Sequence, residues 1–127
     1  MRQRQKLRLG DLQLRIMKVL WESGPSTVAD VQRRLKGNPL AYTTVATMLR
    51  KMEQRRLVRH VEEGRRFIYQ AAVGRNDVHR SMAGDLVDRL FDGSLASAVS
   101  HLLQGRDVSP EELDQLEQLI RQRRQQQ

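Results

Sequence analysis

Between Leu40 and Gln70 the apolar residues change their spacing from that of a helix to that of strands. On a wheel of 100° per residue, Val45, Met48, Leu49 and Met52 share one side, while Thr43, Thr47, Arg50 and Gln54 share the other. This predicts an amphipathic helix over 42–55. Leu57-Val58-Arg59-His60-Val61 and Arg65-Arg66-Phe67-Ile68-Tyr69 then read as two short strands around Glu62-Glu63-Gly64. A helix with an aliphatic inner face and an outer face of hydroxyls, guanidinium and amide can rest on a protein while reading a DNA groove. Followed by a basic hairpin, it has the layout of a winged helix.

The flanking segments complete that layout. Asp11 can cap a first helix whose buried stripe is Leu12, Ile16, Val19 and Leu20, with Trp21 near its end and Ser23-Gly24-Pro25 as the stop. Ser26 or Thr27 can cap a second helix, Thr27 and Asp30 standing at capping-box spacing. Val28, Val31 and Leu35 form its apolar side, and Gly37-Asn38-Pro39 ends it. The second helix, a short turn and the 42–55 helix make a helix-turn-helix. Gly74 then reads as a break. From Asn76 or Asp77 a fourth helix is predicted as far as Phe91, with Val78, Met82, Leu86 and Leu90 at i+4 steps. Ser94 can cap a fifth helix carrying Leu95, Val99 and Leu102. Ser109-Pro110-Glu111-Glu112 is a helix start, with Leu113, Leu116 and Ile120 following. Residues 121–127 are polar and expected to fray.

The expected fold is mainly α with a small β-hairpin. Residues 1–72 would form a winged helix-turn-helix domain with a basic tail at 1–9, and residues 73–127 a three-helix dimerisation domain. Three helices in about fifty residues rarely hold enough core to fold alone. Pairing with an identical chain would bury their spare stripes; folding back onto the N-terminal module is the alternative.

Charge sharpens the division. The 127 residues carry 23 Lys+Arg against 15 Asp+Glu, a formal net charge of +8. Residues 1–70 hold 16 basic and 6 acidic side chains, and residues 71–127 hold 7 and 9. The cationic half attracts polyanions, and charge alone does not choose DNA over RNA or an acidic membrane. Cysteine is absent, excluding disulfides, thiolate metal sites and a cysteine nucleophile. His60, His79 and His101 share no spacing that assembles a metal site. No Gly-rich phosphate loop or nucleophile elbow occurs, so no cofactor and no enzymatic activity are expected. No apolar run approaches the roughly 20 residues that span a bilayer. The basic opening segment lacks the apolar stretch of a secretory signal, which gives a cytoplasmic expectation without membrane insertion.

Candidate DNA contacts follow from side-chain chemistry. Thr43, Thr44 and Thr47 offer a hydroxyl to base edges or phosphates and a methyl to the thymine methyl. Alternatively, Thr43 caps the helix and Thr44 bonds back to the backbone. Arg50 can fork onto guanine, and Lys51 suits phosphate. Arg65 and Arg66 at the hairpin tip would touch the minor groove or backbone, or simply keep an edge strand soluble. Tyr42 can reach phosphate through its hydroxyl or pack under the wing. Lys6 and Arg8, in a tail that is either a frayed end or a groove-binding arm, are weaker candidates.

At LAYTTVATML the chain resembles the penicillinase-repressor family, the BlaI and MecI repressors of β-lactam resistance genes. LGDLQLRIMKVLWESGPSTVADV, EGRRFIYQ and LFDGSLASAVSHLL followed by Ser-Pro-Glu-Glu-Leu carry the same likeness, over roughly residues 9–120. The resemblance implies a homodimeric winged-helix repressor on a dyad operator, often built from TACA and TGTA half-sites. It also implies inactivation through a membrane sensor-transducer and a cut in the C-terminal domain. By position that cut falls at His101-Leu102, where the family carries Asn-Phe. The clustered C-terminal cysteines of a copper-responsive branch are absent.

Two other function classes remain in view. A winged helix can be a protein-interaction module, though docking faces usually carry aromatic anchors and the 42–55 outer face is polar and rich in hydroxyls. A non-specific nucleic-acid or RNA binder is the other, though double-stranded RNA closes its major groove to a helix and no exposed aromatic stacking platform is evident.

Overall fold

In a computed structural model describing residues 7–127, the chain forms α1 (Asp11–Ser23), β1 (Ser26–Thr27), α2 (Val28–Arg34), α3 (Tyr42–Gln54), β2 (Val58–Glu63), β3 (Arg66–Ala71), α4 (Arg75–Leu90), α5 (Leu95–Gln104) and α6 (Pro110–Gln125). Lys6 and the earlier part of the basic tail lie outside the described residues. The tail's end is held: Leu9 is buried, and the Leu7 N–H donates to Ser81 Oγ at 3.0 Å.

The helix ends follow from local chemistry. Gly10, rather than Asp11, occupies the N-cap of α1, and its N–H donates to Gln13 Oε1 at 3.0 Å. Thr27 and Asp30 exchange both bonds of a capping box at the start of α2. Hydrogen bonding from the Thr27 backbone N–H, then from its hydroxyl and Arg33, holds the Asp30 carboxyl below the usual range. The carboxylate half of the box is therefore fully formed at neutral pH and its contribution is lost as pH falls through that lowered pKa, while the bond from the Asp30 N–H to the Thr27 hydroxyl does not titrate. Ser94 and Ser109 cap α5 and α6, accepting from Ser97 N–H and Glu112 N–H at 3.1 Å each. Helix α6 runs to Gln125, in keeping with the high helix propensity of Gln and Arg.

The strands form an antiparallel sheet in the order β1-β3-β2. Beyond the expected hairpin, Ser26 and Thr27 pair with Tyr69 and Ile68, so the residue that caps α2 also closes the sheet. Glu63 pairs with Arg66, leaving the two-residue loop Gly64-Arg65. Gly64 has φ 63°, the left-handed conformation that type II′ hairpins require at this position.

The chain divides into two compact units at Gly84–Asp85, inside α4. The first unit has a continuous core in which Ile16, Met17, Val31, Val45, Leu49 and Met52 are closed to solvent. Val78, expected at a dimer face, is fully buried in this core, and Met82 packs against it. Their i+4 stripe signalled burial correctly, but the partner is the same chain's winged-helix core. Trp21, half-buried, donates from Nε1 to the Val73 carbonyl at 3.0 Å and so ties α1 to the segment before α4.

The second unit is different in kind. Across residues 85–127 Ala98 alone is buried. Leu90 and Leu95 are each 66% exposed, Leu119 61% and Ile120 57%. Leu86, Val99, Leu102 and Leu113 are exposed as well, and Leu116 is half-buried. The end of α4 and the serine-capped α5 and α6 thus carry apolar side chains open in the single chain. No helix among the described residues is long and apolar enough to cross a membrane.

Candidate nucleic-acid interface

Helix α3 presents two faces, as its spacing predicts. Val45, Leu49 and Met52 are fully buried, and half-buried Met48 receives Gln13 Nε2 at 3.6 Å. Tyr42, Thr43, Thr44, Arg50 and Lys51 are exposed, with Thr47 half-buried beside them. Ala41 is the N-cap and offers no side-chain bond, so Thr43 lies in the first turn and does not cap the helix. The first-turn N–H groups of an uncapped helix are donors suited to a phosphate. At the other end, Arg55 donates to Gln13 Oε1 at 2.9 Å and to the Arg8 carbonyl, tying the exit of α3 to the entry of α1.

The wing supplies the second element. Its tight loop leaves Arg65 and Arg66 exposed at the tip. A concavity of about 520 Å³ brings Tyr42 and Arg50 of α3 against Arg65, Arg66 and Phe67 of the wing. Its third wall, the start of α2 from Thr27 to Asp30, was not anticipated from sequence. Thr43, Thr44, Thr47 and Lys51 lie outside this concavity, elsewhere on α3. Tyr42, 52% exposed, lines the concavity beside the wing. Burial pushes the neighbouring Tyr69 phenol above its ordinary range, so it is neutral at physiological pH.

A contact that sequence reading missed sets the wing against the helix. The Glu53 carboxylate accepts from the His60 backbone N–H at 3.1 Å and meets its ring Nδ1 at 2.6 Å. A carboxylate only accepts, so Nδ1 carries the proton. The imidazole also stacks on Phe67, with centroids 4.1 Å apart and planes at 13°. Helix, first wing strand and second wing strand are thereby connected through one side chain. Glu53→Gln should lower the stability of the folded chain by about 1 kcal/mol, the pair being partly solvated. Urea denaturation checks this; an unchanged midpoint would mean that the pair contributes nothing.

The three histidines are dispersed. His60 is in the wing, His79 packs near Trp21, and His101 Nδ1 lies 2.9 Å from the Ser97 carbonyl within α5. Among the described residues no group of three or more His, Cys, Asp or Glu could hold a metal ion.

Comparisons with known proteins agree with this geometry. The penicillinase repressor family model matches residues 9–122. The penicillinase repressor of Bacillus licheniformis is 27% identical over 113 residues, covering 88% of each chain. The transcriptional regulator BlaI of Mycobacterium tuberculosis is 34% identical over 119 residues, covering 89% of this chain and 83% of that one. A MarR family protein from Bacillus stearothermophilus shares the fold, with a TM-score of 0.52 at 21% identity over 93% of this chain and 74% of its own. An amphipathic α3 with a cationic outer face, a basic wing beside it and a family match over most of the sequence lead to one assignment: the chain belongs to the penicillinase repressor family of winged-helix, DNA-binding transcriptional repressors.

Proposed function

We propose that the protein represses transcription as a cytoplasmic homodimer on a dyad operator with TACA and TGTA half-sites, controlling genes of a β-lactam or cell-wall stress response. The observation that carries this reading is the α3–wing surface, where Arg50, Arg65 and Arg66 line one concavity while Val45, Leu49 and Met52 on the opposite side of α3 are fully buried. In this reading Thr43, Thr44, Thr47 and Arg50 reach base edges in the major groove. Tyr42, Lys51 and the wing arginines hold phosphates and set the register. The winged-helix domain comprises the first 72 residues and the start of α4. The apolar side chains of residues 85–127 supply the dimer face, with Leu86, Leu90, Leu95, Val99, Leu102, Leu113, Leu116 and Ile120 at its centre.

Loosening that face would release the operator, because each half-site is held partly by the effective concentration the other provides. A cut at His101-Leu102, directed by a membrane sensor protease, is one such route. The bond lies within α5, so the helix must open locally before cleavage. The test of the main reading is a fluorescence-anisotropy titration comparing a TACA/TGTA dyad duplex with its scrambled version at near-physiological salt. The expected result is a preference of about 10³-fold or more with two chains per duplex. Equal, weak binding to both duplexes would leave a different operator or a protein-docking role for the basic face.

A further inference from the structure

A second concavity, of about 500 Å³, lies in the first unit and shares no residue with the α3–wing concavity. Five cations converge on it: Arg15 and Lys18 of α1, Arg34 and Lys36 at the end of α2 and just beyond, and Arg75 of α4. None of the five forms an ion pair with a carboxylate among the described residues. Glu22 is the single carboxylate on the wall, and His79 adds a sixth nitrogen base.

Several of these groups are braced rather than loose. The Arg15 guanidinium donates to the Lys36 carbonyl, which fixes α1 to the loop after α2. The Arg75 guanidinium stands 5.6 Å above the Trp21 ring, and His79 meets the same ring edge-on at 6.1 Å and 88°. Trp21 is itself held by its bond to the Val73 carbonyl. Five cations against one carboxylate leave a net positive wall, and a concave wall focuses its field on whatever enters. A duplex is too broad to enter a hollow of this size, whereas the volume suits a small ligand. Three guanidiniums favour the forked geometry of phosphate over isolated carboxylates.

We propose that this concavity is a binding site for a small polyphosphate, either an inorganic chain or the phosphate tail of a nucleotide. It stands apart from the DNA-reading surface and is formed within one chain. The phosphates would lie between Arg15, Arg34 and Arg75, with Lys18 and Lys36 as point charges at the rim.

Isothermal titration of the full chain with inorganic tripolyphosphate, and separately with adenosine triphosphate, tests it at about 150 mM salt. The expected result is one saturable site per chain with a dissociation constant below about 1 mM. Lys18→Gln with Arg34→Gln, at exposed positions, should weaken it at least about tenfold. Arg65→Gln with Arg66→Gln should leave it unchanged, and circular dichroism verifies that both variants fold. Equal binding of the two probes assigns recognition to the phosphates alone; tighter binding of the nucleotide gives its base a place on the wall. Either result supports the site. Absence of saturable binding overturns it, and so does binding lost in the wing variant instead, which would make the ligand a mimic of the DNA backbone. Neither overturning result touches the operator-binding reading, which the duplex titration decides separately.

Discussion

Replacing Leu90 and Leu102 by aspartate should leave a monomer at micromolar concentration and lower affinity for a two-half-site duplex by about 10²- to 10⁴-fold. Leu90 is 66% exposed and Leu102 50%, so in the single chain neither supports a core that the charge would destroy. In a dimer each buried leucine contributes about 1.5–3 kcal/mol, and two per chain act twice across a two-fold axis. The N-terminal unit has its own core, from Leu9 through Met82, which these substitutions do not touch. Binding to a duplex with one half-site should therefore stay at the wild-type level. That contrast separates lost pairing from lost folding. Sedimentation equilibrium reads the first effect and anisotropy on the two duplexes reads the second. A variant that sediments as a dimer and keeps full affinity would place the dimer face elsewhere.

The parts of this molecule legible in its sequence are those fixed by neighbours a few residues away. The stripe Val45, Leu49, Met52 is a helical spacing, and those residues are the buried side of α3. Thr27, Ser94 and Ser109 are caps because a side-chain oxygen reaches an N–H three residues on. The wing follows from two alternating runs around a glycine. What stayed hidden depends on distant partners. Ser26-Thr27 is a strand only because Tyr69 and Ile68 lie beside it, and two residues carry no pattern of their own. The stripe of α4 announced burial without saying that Val78 belongs to the winged-helix core. The outer face of α3 could be read from the wheel. The Glu53–His60 bond and the α2 wall of the concavity could not, since each joins separate elements.

Operator binding should be steeply sensitive to salt, and the wing should account for about half of that sensitivity. Neutralising about eight phosphates per dimer gives a slope near −7 in log affinity against log salt, or about four decades between roughly 50 and 200 mM. Arg65 and Arg66 are exposed at the hairpin tip and belong to the cationic concavity, and in two chains they make four cations. Arg65→Gln with Arg66→Gln should reduce the loss to about two decades over the same range. Preference for the operator over a scrambled duplex should change much less, because phosphate contacts position the protein and base contacts specify the sequence. Arg50→Gln should show the reverse: a slope altered by little, and discrimination at one base pair per half-site weakened by about 1–3 kcal/mol. The two variants thus assign the two elements on a single set of titrations. If the wing variant instead lost sequence preference and kept its slope, Arg65 and Arg66 would be reading bases in the adjacent groove, and the division of labour between α3 and the wing would have to be reversed.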